Sequence, residues 1–207
     1  MVASVYEEWL RQAGLGPVAG VDEAGRGACA GPLVAAAVVL ATAPERRIDG
    51  LADSKTLSAR RRESLFDVIV ERALAVAWAE VSPQECDDWG LQEANLQALR
   101  RAVWRLSVRP AFILTDGFAV DGLPGPGLGL WKADQVAECV AAASIVAKVT
   151  RDRLMVRLDA RYPGYGFARH KGYATADHQA RVEALGPSEV HRLSYANVAR
   201  AARVGAS

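Results

Sequence analysis

Four carboxylates in this chain stand where apolar runs end. Asp22 and Glu23 close the run that starts at Val18, Asp116 closes AFILT, and Asp134 opens a long segment rich in small residues. Carboxylates are the hard oxygen ligands that Mg²⁺ and Mn²⁺ prefer, and gathering several is unfavourable unless cations offset their repulsion. Strand ends converge in a sheet, so the four together predict a divalent-metal site. Two ions about 3.5 to 4 Å apart can activate water, hold a scissile phosphate and stabilise the leaving oxygen, so phosphodiester hydrolysis fits the set. Each acid alone has a plainer explanation: Asp134 as an N-cap, Asp116 with Gly117 as a turn, Asp22 with Glu23 as a solvated strand end. The consecutive pair argues against that. Neighbouring strand residues point to opposite faces, which sacrifices burial on both unless ligands are needed.

Gly25, Arg26 and Gly27 follow the pair at once. No G-x-x-x-x-G-K-[ST] is present, and Pro32 with a second strand follows where a dinucleotide fold would start a helix, which argues against a nucleotide cofactor. Glycines here let backbone amides and carbonyls approach a sugar or phosphate, with Arg26 reaching the backbone between them; a tight hairpin is the alternative. Further on, YPGYGFARHKGYAT interleaves Tyr162, Tyr165, Phe167 and Tyr173 with Arg169, His170 and Lys171, a composition suited to stacking while phosphates are neutralised. Core packing explains Tyr162 and Phe167 equally well. Lys171 and Tyr173 point to substrate.

The elements that must position these groups follow from periodicity. Residues 18–22 and 33–40 read as an antiparallel strand pair joined by GRGACAGP. Helical spacing of Leu65, Phe66 and Ile69 predicts a helix over 57–73 with Ser58 as N-cap, followed by an edge strand over 74–81. Ser82 and Pro83 open a helical stretch to about residue 106. Strands over 111–115 and 128–132 flank the loop GLPGPGLG; Asp134 then caps a helix to about residue 160, and Thr175 caps another to residue 185. The expectation is an α/β fold with a mixed five-stranded sheet flanked by helices: a catalytic domain over 1–160 and a helical, basic segment over 161–207, packed as one unit.

The net charge of +1 conceals an asymmetry. Residues 1–147 hold 14 Lys or Arg against 19 Asp or Glu, net −5, whereas 148–207 hold 11 against 5, net +6, together with all three histidines. An acidic cation site beside a basic face for a polyanion is the reading this favours over an ordinary solvated surface. The chain uses 21 arginines and only 4 lysines: Lys55 in DSKTLS, Lys132 before Asp134, Lys148 in SIVAKVTRD and Lys171 in RHKGY. A compact, flexible ammonium suits contacts to phosphate or carboxylate. Cys29, Cys86 and Cys139 are odd in number and widely spaced, which fits reduced thiols rather than a zinc knuckle or disulfides. No apolar run is long enough for a membrane span, and the early Glu7 and Glu8 do not fit an export signal, so a cytoplasmic protein is expected.

Taken in order, GVDEAGRG, DSKTLS, ILTDG, KADQV with AAASIVAKVTRD, YPGYGFARHKGYAT and HRLSY resemble the bacterial type 2 ribonucleases H, the ribonuclease HII family, from Ala19 to Tyr195. The resemblance implies a ribonuclease H-like fold with a helical C-terminal segment, and Mn²⁺ or Mg²⁺ held by Asp22, Glu23, Asp116 and Asp134. It implies hydrolysis of the RNA strand of RNA/DNA hybrids and incision 5′ of single ribonucleotides embedded in duplex DNA, leaving a 3′-hydroxyl and a 5′-phosphate. Gly25, Arg26 and Gly27 would read the 2′-hydroxyl, which any choice of RNA over DNA must sense. Tyr173 would stack on the neighbouring deoxyribose. Ser54, Lys55, Lys148, Arg151 and Lys171 complete the expected substrate contacts, and the protein is expected to be a monomer. Ala133 stands where the family has Gly, which a positive φ would make hard to accommodate. Two rivals stay open: a DNA-directed nuclease of the same fold, and a hybrid-binding module without catalysis.

Overall fold

A computed structural model describes residues 5–204. Its five strands are β1 (Val18–Ala24), β2 (Leu33–Val39), β3 (Ala75–Val81), β4 (Phe112–Asp116) and β5 (Gly127–Leu130). The helices are α1 (Val5–Gln12), α2 (Ala59–Arg72), α3 (Pro83–Trp89), α4 (Leu91–Trp104), α5 (Ala133–Val136), α6 (Glu138–Arg161), α7 (Phe167–His170), α8 (Ala176–Leu185) and α9 (Ala196–Val204). The sheet order is β3-β2-β1-β4-β5; β1, β2 and β3 pair antiparallel, and β4 pairs parallel to both β1 and β5. This is the mixed five-stranded sheet expected, with β3 at one edge.

Apolar residues cover both faces of β1 and β2, so both faces are packed. Ala19, Val21, Ala35 and Ala37 meet Ala94, Ala98, Leu99 and Val103 of α4. Ala24, Ala36 and Val38 meet α2 and the run from Ala141 to Val149 of α6. The small residues of α6 permit a close approach, and Gly20 marks its limit: a Cβ there would lie 2.2 Å from the Cys139 carbonyl carbon. Larger side chains such as Leu65, Ile69 and Leu99 supply the burial energy, about 1.5 to 3 kcal/mol each.

Local chemistry sets most boundaries. The hydroxyls of Ser58 and Thr175 accept from the backbone N–H groups of Arg61 and His178, capping α2 and α8 as expected. Ser82 and Glu85 form a reciprocal capping box at the start of α3. Three expectations need correction. The helical stretch from Ser82 is two helices, because Gly90 adopts φ 75° and ends α3 before α4 begins. β5 starts and ends earlier than expected, leaving Trp131 and Lys132 outside it. Asp134 does not cap α6: it lies inside the short α5, and extended Ala137 separates the two helices. Helix α1 lies outside every helix expected, whereas α7 and α9 fall within the helical segment expected over 161–207.

Beyond α6 the chain turns back onto the loop after β1. The backbone N–H groups of Cys29 and Ala30 donate to the Gly172 carbonyl, Gly31 N–H donates to Val190, and Arg192 N–H donates to Cys29.

Candidate metal and nucleic-acid site

Asp22 and Glu23 stand near the end of the central strand β1, opposite Ala36 and Ala35 of β2. Strand alternation sends Asp22 to the α6 side, with Ala24, and Glu23 to the α4 side, with Val21. Asp116 ends the adjacent parallel strand, where Thr115 pairs with Val21. Asp134 arrives from the other direction. Lys132 takes the left-handed conformation, φ 55° and ψ 47°, and the turn aims the Ala133 N–H at Asp116 Oδ1, 2.7 Å away. The positive φ thus falls on Lys132 and not on Ala133, so the alanine is accommodated without strain.

The four acids sit in one another's fields. Burial, then the charges of Glu23, Asp116 and Asp134, push the Asp22 carboxyl well above the usual range, against a stabilising bond from the Glu23 N–H. Asp134 is pushed up to about 6 by burial and by Asp53 and Asp116. Burial raises Glu23 as well, although the Arg26 guanidinium, the Asn95 amide and Lys55 draw it down. Burial lowers the Lys55 ammonium, but Asp134, Asp53, Asp22 and Asp116 more than offset this and raise it. Among the described residues no three acidic, histidine or cysteine side chains are gathered closely enough to hold one metal ion between them. The group is open, and the negative charge that Arg26 and Lys55 offset only in part is what a divalent cation would neutralise. All-oxygen, hard donors fit Mg²⁺ or Mn²⁺.

Beside the acids, the loop from Gly25 to Gly31 is locked from behind. Gly25 has φ 92°, and a Cβ there would lie 1.9 Å from Arg151 Nε, so no other residue fits. Arg151 is wholly buried and donates to the carbonyls of Pro32, Ala30 and Lys171. Arg192, also wholly buried, donates to Gly31 and Arg26 carbonyls, and the Tyr195 hydroxyl adds a 2.6 Å bond to Arg26. The Arg26 side chain reaches out to Gln92 at 2.7 Å and lies 3.9 Å from Glu23. Gly27 is exposed.

The expected substrate contacts separate into two kinds. Lys55 and Tyr173 are exposed, the Tyr173 ring lying 5.5 Å from the Arg151 guanidinium. Ser54 is buried and bonded to Ser144, Lys148 pairs with Asp152 at 2.7 Å, and the Lys171 ammonium bonds the Ala168 carbonyl. Arg151 differs from both kinds: its guanidinium is buried behind the loop and donates to the carbonyls of Pro32, Ala30 and Lys171. The basic C-terminal face is reduced for the same reason. Arg151 and Arg192 are interior, while Arg153, Arg161, Arg169, Arg181 and Arg200 each pair with an acid. The three histidines are buried, and Phe167 is core. Asp53, Asn95, Arg192 and Tyr195 were missed as site residues. Asp53, Arg192 and Tyr195 lay inside quoted motifs; nothing local marked Asn95, which is fully buried on α4 beside Glu23.

A ribonuclease HII family model matches residues 19–198. The chain belongs to the ribonuclease HII family. It is 65% identical to the ribonuclease HII of Cutibacterium acnes over 98% of this chain and 99% of that one. The ribonuclease HII of a Nocardioides species is 55% identical over 95% of this chain and 82% of its own. Among solved structures, ribonuclease H2 from Pyrococcus horikoshii superposes with a TM-score of 0.78 at 30% identity, covering 90% of this chain and 97% of that one. The ribonuclease H-like fold read from the motifs therefore holds, and the chain is a hydrolase of the ribonuclease H class.

Proposed function

We propose that this enzyme hydrolyses the RNA strand of RNA/DNA hybrids and incises duplex DNA 5′ of single embedded ribonucleotides, leaving a 3′-hydroxyl and a 5′-phosphate. The observation that carries the reading is the group of four acids at adjoining strand and helix ends, mutually repelling and next to a glycine loop that cannot move away. Asp22, Glu23, Asp116 and Asp134 would hold the divalent cation, Mn²⁺ or Mg²⁺, which supplies activated water and charge relief at the phosphate. The residues of the chain do the rest. Gly25, Arg26 and Gly27 present backbone to the ribose, with Arg192 and Tyr195 fixing the Arg26 carbonyl. Lys55 supplies positive charge at the rim of the acids, and Tyr173 offers an exposed ring for the sugar one step along. Ser54, Lys148 and Lys171 approach the substrate only if their present partners are exchanged for it. Removal of ribonucleotides during DNA replication and repair is the corresponding task.

A monomer in the cytoplasm belongs to the same proposal; among the described residues no helix is long and apolar enough to cross a membrane. Light scattering after size exclusion reads the oligomeric state. The decisive assay uses a DNA duplex with one ribonucleotide and Mg²⁺ or Mn²⁺. The wild type should nick it on the 5′ side, and Asp22→Asn should lose on the order of a thousandfold in rate. Equal cutting of an all-DNA duplex, or binding without cutting, would refute the proposal.

A further inference from the structure

Three histidines fill the space between α7, α8 and the segment before α9, and none of them faces the acids. Their backbone partners fix where each proton sits. His191 Nδ1 lies 3.0 Å from the Ser188 N–H, which can only donate, so this nitrogen is an acceptor and the proton of the neutral ring is on Nε2. That Nε2 faces His178 Nε2 at 3.1 Å. His178 must accept there and carry its own proton on Nδ1, which lies 3.0 Å from the Tyr173 carbonyl. Four groups are thereby strung in one polarity: Ser188 N–H to His191, His191 to His178, His178 to Tyr173. His170 stacks on His178 with centroids 4.1 Å apart and is fixed likewise, accepting from Gly172 N–H and facing the Tyr165 carbonyl.

We propose that His178 and His191 act as a neutral positioning relay for Tyr173, holding its backbone so that its ring stays over Arg151 beside the glycine loop. The inference rests on the assignment of Tyr173 to the substrate. A relay of this kind tolerates no extra proton, because two Nε2–H groups would then oppose each other at 3.1 Å. Burial agrees with this and holds both rings down to about 4, helped at His178 by the charge of His170 and at His191 by those of His178 and His170. The groups facing the pair are His170 from α7, Asp177 from α8, the Cys29 thiol from the loop, and the Tyr165 ring. Asp177 is committed to Arg169 and Arg181, so it does not supply a strong counter-charge to a protonated His178.

Two measurements test the relay. Histidine ¹⁵N chemical shifts of the whole protein at pH 7 should place the His178 proton on Nδ1 and the His191 proton on Nε2, with neither ring titrating near 6.5. The opposite tautomer at His178, or titration near 6.5, would overturn the relay whatever Tyr173 does. In the nicking assay His178→Ala should lower kcat/KM about tenfold, the scale of one lost buried hydrogen bond. His178→Asn, whose amide can occupy the place of Nδ1–H, should recover most of it. In a Tyr173→Ala background His178→Ala should cost no further activity; an additive loss would mean that His178 acts on folding and not through Tyr173. If Tyr173→Ala alone leaves the rate unchanged, the assignment of Tyr173 fails, and the ¹⁵N shifts still decide the relay.

Discussion

The molecule contains two buried polar regions that treat charge in opposite ways. Behind the glycine loop, Arg151 and Arg192 spend their guanidinium protons on carbonyls, and His178 and His191 satisfy each other and the backbone. At the strand ends Asp22, Glu23, Asp116 and Asp134 repel one another, and burial pushes the carboxyls of Asp22, Glu23 and Asp134 up. The first region is finished without a ligand. The second is finished only by one. Unrelieved charge thus marks where chemistry takes place, and saturated charge marks the scaffold that aims it.

The contrast is broken most severely from the saturated side. Arg151→Ala should strand the carbonyls of Ala30, Pro32 and Lys171 and lower stability by about 3 kcal/mol or more, seen as a fall in Tm. Acid should act on the same region. His178 and His191 have folded values of about 4 against 6.5 for a free ring, so the unfolded chain binds more protons between those limits. Stability is therefore fully present above pH 6.5 and lost as pH falls towards 4, on the order of 3 kcal/mol. Denaturant titrations across that window measure it, and His178→Asn with His191→Gln should flatten the slope. On the unsatisfied side the sign reverses: Asp22→Asn, expected to cost most of the activity, should stabilise the metal-free protein by about 1 kcal/mol. A loss of stability there would contradict the assignment of frustrated charge. The smallest effect is expected at the turn before Asp134, where Lys132→Gly should relieve a left-handed lysine by about 1 kcal/mol in thermal unfolding.

The sequence disclosed the acids and the strands well, because both are local signals: an apolar run and the charged residue that ends it. Strand alternation even foretold that Asp22 and Glu23 diverge. What stayed hidden depends on partners distant in the chain. Nothing about a lysine announces a left-handed turn, so Asp134 read as a helix cap until Ala133 N–H was found on Asp116. Arg151 and the histidines read as surface cations because their type says charge; only carbonyls 20 to 121 residues away turn Arg151 into a brace. Gly90 was visible, but a single glycine inside a helical pattern is weak grounds for a break.

Asp22 and Glu23 are consecutive, yet one belongs to the α6 side of the sheet and the other to the α4 side. Their separation consequently depends on the local twist of β1, and the residues paired with them in β2 are alanines, Ala36 and Ala35. A bulkier neighbour or a bulge there would be transmitted directly into the gap between the two carboxylates.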